Sequence, residues 1–391
     1  MNDRIGRFYG ERAWIEGAAE RQLGEVSALE GVVSVSAFPD LHPGKNGPVG
    51  MVAASTRLYP HLVGNDLGCG FSLFDLGIPQ RKLRADRAEE RLRNASFEAP
   101  EDFAERLEAF GLPGDLFGRH LGSIGGGNHF AELTCVDEVF GEGAPGDGNV
   151  MLLVHTGSRS LGSDVWDDVL SGSDNIHGGL DADSELGVGW LARQAQCVIW
   201  ASLNRRLVAE TIAAALRANG CIDICDVPHN LVVTDTAEDG SSLYRHYKGA
   251  SRVMEGAAAP IAGSRDTLSH YVRATGVSVS DFGIAHGSGR KRDRASMHSR
   301  NGLKRSEREA LQRNPFGGRI ICDDNALLVE EQGSAYKNPR HVIDDLAAAG
   351  LVAPICSLRP IVTYKKAAET DPSAIRRAED RRQGRDRHGR R

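Results

Sequence analysis

The chain has 391 residues, 40% of them hydrophobic and 26% charged, the balance of an ordinary soluble globular protein with a sizeable core. Its formal net charge of -6 argues against wholesale nonspecific nucleic-acid binding but leaves room for a local basic groove. No apolar run reaches membrane-spanning length, the start "MNDRIGRFYG" lacks a secretory signal, and seven scattered cysteines fit free thiols in a reducing, cytoplasmic setting with no membrane partner.

In chain order, residues 14 to 29, "WIEGAAERQLGEVSAL", have the spacing of an amphipathic helix, and "GVVSVSAF" reads as a strand ending in the loop "PDLHPGKNGPVG". "MVAAS" is strand-like, and "HLVGNDLGCGFSLFDL" reads as strand, loop, strand. Residues 83 to 110 are charged and mostly helical. "GSIGGGNHFAEL" is a glycine-rich loop entering a strand, and "NVMLLVHTGSRSLG" is a buried strand leaving into a polar loop. The longest helical tract runs from 184 to 218, followed by strand-like runs at "IDICDVPHNLVVT" and near "GVSVSDFGIAHGSG". A basic helix with short loops fills 301 to 348, and "PICSLRPIVTYKK" is a last strand. From about 368 the chain turns arginine-rich and nearly free of apolar residues, a tail expected to be disordered or frayed: a hook for an anionic partner, or simply solvated. Helices and strands do not alternate as in a doubly wound sheet, so the residues alone give a mixed α+β class.

Asp66 and Cys69 in "NDLGC", His129 in "GGNHF", His155 in "VHTGSRS", His229 in "VPHN" and His286 in "AHGSGR" all sit where a strand-like run meets a glycine, proline or asparagine. Loops on rigid strands concentrate function, and imidazole, carboxylate and thiolate together suit one or two divalent metals. Sequence alone favours zinc because of Cys69. "SIGGGNHF" and "AHGSGR" let backbone N–H groups approach a phosphate, although no P-loop is present. Lys248, Arg252, Arg290 and Lys365 offer cations for phosphate oxygens. Cys221 and Cys225 lack a second pair and are placed in the core. Metals, phosphate nests and an uncrowded histidine suggest phosphoryl or nucleotidyl transfer.

The ordered series "FPDLHPGKNGPVGMVAA", "NDLGCG", "GGGNHFAEL", "VHTGSRSLG", "DVPHN", "HYKGASR", "AGSRDTLS", "AHGSGR", "SAYK" and "LRPIVTYKK", over about residues 12 to 366, resembles the RtcB family of GTP-dependent RNA ligases, with features of the subgroup associated with release factor H. The resemblance implies an α+β fold whose sheets surround a central metal and nucleotide cleft with peripheral helices. It also implies a catalytic domain over 1–367 followed by a basic tail, 368–391. The implied activity joins an RNA 3′-phosphate or 2′,3′-cyclic phosphate end to a 5′-hydroxyl end, using GTP and two manganese ions, and a release-factor-like protein is an implied partner.

The same matching makes Asp66, Cys69, His129, His155 and His229 the manganese ligands, with Cys69 bridging, and His286 the nucleophile that takes up the guanylyl group. Asn128, His129, Phe130, Ala131 and Glu132 would line the guanylate pocket together with His229 and Asn230. Ala262, Gly263, Ser264, Arg265, Ser269 and Lys365 would complete it, with Gly287, Ser288 and Gly289 beside the nucleophile. Gly287 and Gly289 would let the phosphate approach without a Cβ clash. The chain departs from the family pattern at Asn65, Leu67, Gly68, Tyr247, Arg265, Asp266, Ala285 and Ser288, which bears on base and RNA choice more than on the chemistry. Two other functions share these residues: a metal-dependent RNA-end phosphatase or cyclic phosphodiesterase, which does not need His286, and a catalytically silent RNA-end-binding protein.

Overall fold

A computed structural model describes residues 4–116, 118–146, 148–173, 175–237, 239–297 and 303–366; the basic tail 368–391 lies outside them. The described residues form an α+β fold built on two large sheets, with a two-stranded pair, Ala250–Arg252 and Gly283–Ala285, beside them. The larger runs in the spatial order Ala258–Ile261, Ser269–Ala274, Val352–Lys366, Phe130–Val139, Asn149–Thr156, Gly70–Pro79 and Ile222–Pro228, with Arg319–Cys322 paired to the far half of Val352–Lys366. Its neighbours are antiparallel except for that last pair. The smaller runs Ile5–Arg7, Val32–His42, Val49–Ser55, Ser242–Lys248 and Asn230–Thr236. At His229 the chain steps from the edge of one sheet to the edge of the other.

The central strands read as apolar runs because both faces are covered. Val150, Leu152 and Val154 pack on one face with Val208 and Ile212 of the helix Glu185–Leu216, while Met151 and Leu153 pack on the other with Ile355 and Leu358. That helix has 32 residues, about 48 Å at the usual rise. The Ser184 hydroxyl caps its N-terminus by accepting from the Gly187 N–H at 3.1 Å, and Arg217 ends it in the left-handed region.

Several local expectations shift. "HLV" forms the short helix Pro60–Val63 rather than a strand, since Pro60 at the first helical position presets the helical φ. The tract 83 to 110 splits into Ala85–Arg93 and Phe103–Ala109, on either side of a segment containing Pro100. "VSVS" is a 3₁₀ turn before the short strand Gly283–Ala285. Cys221 and Cys225 are half-buried at the margin of the core, because Ile222–Pro228 is an edge strand. Among the described residues no helix is long and apolar enough to cross a membrane.

Candidate active site

In an antiparallel sheet the start of one strand lies beside the end of the next, so residues far apart in sequence share one rim. Cys69 precedes Gly70–Pro79, His129 precedes Phe130–Val139, His155 stands near the end of Asn149–Thr156, and His229 follows Ile222–Pro228. Because these strands are neighbours, with Phe71 opposite both His155 and Val227, all four residues come to the same edge. They line or adjoin a cavity of about 600 Å³ between the sheets, the size of a small-molecule site.

At that edge the donor atoms converge. Cys69 Sγ lies 3.2 Å from His155 Nε2 and 3.4 Å from His129 Nε2. His155 Nε2 is 3.3 Å from His229 Nε2, and Asp66 Oδ2 is 3.0 Å from His129 Nε2. Two donor groups result, Cys69–His155–His229 and Asp66–Cys69–His129, each with its atoms within 4.8 Å of one another, and Cys69 belongs to both. His155 Nδ1 faces the Asn128 carbonyl at 3.2 Å, an acceptor, so its proton sits there and the Nε2 lone pair points into the cluster.

Electrostatics keep these groups ready for a cation. Burial first, then neighbouring histidines, holds His155 and His229 far below the ordinary imidazole range, so both stay neutral. Burial and the adjacent Asp66 push the Cys69 thiol well up. Burial alone would raise Asp66, but His129 outweighs it and holds the carboxyl low. The neutral imidazoles of His155 and His229, a carboxylate and a thiol aimed at common points fit a divalent cation better than they fit one another.

His286 follows the strand Gly283–Ala285, which pairs with Ala250–Arg252. Its ring centroid lies 4.6 Å from that of His229. Asp40 Oδ2 accepts from His286 Nδ1 at 2.7 Å and from the His286 backbone N–H at 3.2 Å, so a proton is fixed on Nδ1, and among the described residues Nε2 has no hydrogen-bond partner. The neighbouring glycines answer to the protein's own backbone as well as to any ligand. Gly289 has φ +68°, and a Cβ there would lie 2.1 Å from the Asp40 carbonyl; one on Gly287 would come 3.1 Å from that of Ala262. The Ser288 N–H donates to Ala262 O at 2.9 Å, clamping this loop to the 262–265 loop.

Across the cavity, Glu132 accepts from the Thr363 hydroxyl at 2.5 Å, and burial raises its carboxyl to about 7. Lys365 donates to the Gly127 and His129 carbonyls at 3.1 and 3.3 Å, with Glu331 Oε2 at 3.5 Å. Asn128, Phe130, Asn230, Ala262, Gly263, Ser264, Arg265, Lys248 and Arg290 also line the space. Arg265 is buried, with its NH2 on the Leu328 carbonyl at 2.8 Å. Ala131 and Ser269 are set back from the cavity. Alternation turns Ala131 to the opposite face from Glu132 and into the core, and the Ser269 hydroxyl accepts from the Gly263 N–H at 3.0 Å. Arg252 is exposed and away from the cavity lining.

Three supporting residues escape the sequence reading. Asp40 orients His286; it lies in the "FPDLHPGKNGPVGMVAA" motif at the end of the strand Val32–His42, with nothing beside it to mark its partner. Arg159, at φ 57° and ψ -139°, donates to His129 Nδ1 at 3.2 Å; a non-glycine residue in that backbone region is strained. Arg205, fully buried in the long helix, bonds the Gly68 and Thr156 carbonyls at 2.8 and 2.9 Å and grips Asp226. It thereby ties together the segments that carry Cys69 and His155.

The family model described as "tRNA-splicing ligase RtcB" matches residues 22–109 and 116–366. The chain is 35% identical over 376 residues to "RNA-splicing ligase RtcB2" of Escherichia coli, covering 93% of this chain and 96% of that one. It is 24% identical over 440 aligned positions to "RNA-splicing ligase RtcB homolog 1" of Entamoeba dispar, covering 88% and 81%. Against "tRNA-splicing ligase RtcB" of Pyrococcus furiosus it is 28% identical over 310 residues, covering 68% of this chain and 31% of that one.

Proposed function

The chain belongs to the RtcB family, and on that premise we propose that it is a GTP- and manganese-dependent ligase joining RNA 3′-phosphate or 2′,3′-cyclic phosphate ends to 5′-hydroxyl ends. The observation that carries this reading is the juxtaposition of two donor groups sharing one thiol with an imidazole whose second nitrogen is bare. A metal hydrolase needs the first feature but has no use for the second.

His286 is the nucleophile. Asp40 holds the Nδ1 proton and stabilises the positive charge that develops as Nε2 bonds to the α-phosphorus of GTP and pyrophosphate leaves. A 2′,3′-cyclic end is first opened by water, which bonds to phosphorus as the P–O2′ bond breaks and O2′ takes up a proton. The resulting RNA 3′-phosphate then attacks the α-phosphorus on His286, the P–N bond breaks, and the RNA carries a 3′-diphosphate-linked guanosine. The 5′-hydroxyl displaces GMP to complete the join. Asp66, Cys69, His129, His155 and His229 would hold manganese, Cys69 shared between two ions, and the metal supplies neutralising charge at the phosphates. Glu132, when ionised, accepts from the two donors on the guanine edge, while Lys365 and the 262–265 loop fix the nucleotide's orientation. Residues 1–367 form the catalytic unit and 368–391 a basic tail.

Incubation with radiolabelled GTP and manganese tests the reading. Label is expected on the wild-type protein, stable to denaturation, and none on His286→Ala. Hydrolysis of a cyclic RNA end without labelling would replace the ligase with a cyclic phosphodiesterase; RNA binding with neither activity would leave an end-binding protein.

A further inference from the structure

A second imidazole faces the cavity with no part in the mechanism above. His42 ends the strand Val32–His42, and its Nδ1 lies 2.8 Å from the Asp40 carbonyl oxygen. A carbonyl only accepts, so the proton sits on Nδ1 and Nε2 keeps its lone pair. Among the described residues nothing is hydrogen-bonded to Nε2, and His42 belongs to neither donor group. Burial, against an opposing pull from Asp40, lowers the ring to about 4 and keeps it neutral.

Asp40 thus grips two imidazoles, His286 through its carboxylate and His42 through its backbone carbonyl. Lys337 fixes that grip. Its Nζ donates to the Pro39 and Leu41 carbonyls on either side of Asp40, at 2.9 and 2.6 Å, and its backbone N–H donates to Gly289 O at 3.0 Å. The two rings are held in one frame, but only His286 has a carboxylate behind it.

The three nucleophiles of the proposed reaction differ in one respect. The bare Nε2 of His286 and the RNA phosphate oxygen have no proton to shed. The 5′-hydroxyl does. Once the end is a 3′-phosphate, a neutral base in the cavity therefore has work in the last step alone. We propose that His42 is the general base of that step: its Nε2 takes the hydroxyl proton as the hydroxyl oxygen bonds to the RNA 3′-phosphorus. The bond from that phosphorus to the bridging oxygen breaks, GMP leaves with the bridging oxygen and the electron pair, and His42 passes the proton to solvent. This assignment rests on the ligase reading.

The test uses the full-length protein with manganese, radiolabelled GTP, one oligoribonucleotide ending in a 3′-phosphate and another beginning with a 5′-hydroxyl. His42→Gln is expected to form the labelled enzyme and transfer guanylate to the 3′-phosphate strand at wild-type rates. It should then accumulate that activated strand and seal it about 10²-fold more slowly, the low end for general base catalysis, as suits a weak base. Sealing at the wild-type rate would overturn the assignment. So would loss of labelling or of transfer, because a ring that merely braces Asp40 fails first at His286. If the wild-type protein itself takes no label, the ligase reading fails instead.

Discussion

Burial holds histidines neutral at two places in this protein, His61 and His246 at one and His155 and His229 at the other, and only one of them looks like a site. His61 and His246 are buried beneath Tyr59, and burial lowers each to about 4. His246 spends both nitrogens on the fold: Nε2 accepts from the Tyr59 N–H at 2.9 Å, and Nδ1 faces the Ala53 carbonyl at 3.1 Å. His61 packs against His177, with ring centroids 4.7 Å apart, and among the described residues neither His61 nor His246 belongs to a metal-capable group. At the cavity edge, by contrast, His129, His155 and His229 turn nitrogens toward one another, a thiol and a carboxylate. A depressed titration marks burial in both places. What separates His246 from the cavity-edge rings is that its two nitrogens meet backbone groups, while theirs face one another, a thiol and a carboxylate.

The sharpest break of that contrast is His155→Ala, which removes a donor next to the shared thiol. Bound metal, measured by elemental analysis after dialysis, should fall, and labelling with GTP should drop to background. His246→Gln should keep both; equal loss in the two variants would erase the distinction. Next comes the partner of each ring. Asp40→Asn takes away the carboxylate behind His286 but leaves the donor cluster whole. Enzyme labelling should slow by about 10² to 10⁴-fold, as for other carboxylate-oriented histidines, with metal content unchanged. The smallest effect is on stability. His61 and His246 titrate near 4 when folded and near 6.5 when unfolded. Between those values the unfolded chain binds more protons, so stability falls as pH drops through the window and levels off below it. The loss for fully buried His246 is roughly 3 kcal/mol. Urea unfolding at pH 7 and pH 5 should show a shallower acid loss in His246→Gln, from a lower starting stability. A parallel pair of curves would mean that this ring is not the one resisting protonation.

Much of the candidate site could be read from the sequence because glycine, proline and asparagine mark strand ends, and the metal-capable side chains sit at those marks. The antiparallel pairing then does what sequence cannot display: it sets Asp66 next to His129, 63 residues away, and Cys69 next to His155, 86 away. Supporting residues stayed hidden for the same reason. Asp40 meets His286 across 246 positions and Arg205 meets Gly68 across 137, and neither side chain carries a local signature of its partner. Ala131 packs into the core although it belongs to the motif, because a motif names consecutive residues while a strand alternates faces. The reading of "HLV" as a strand gave too little weight to Pro60, whose ring favours the first turn of a helix.

The strand Val352–Lys366 lies inside the larger sheet, with Ser269–Ala274 on one flank and Phe130–Val139 on the other. During synthesis those two flanks emerge first and face a gap where their shared neighbour belongs, presenting open edges that invite aggregation. The rim carrying Glu132 and His129 is completed only when this segment leaves the ribosome. A chain truncated ahead of Val352 is therefore expected to aggregate rather than to fold into a weakened version of the same molecule.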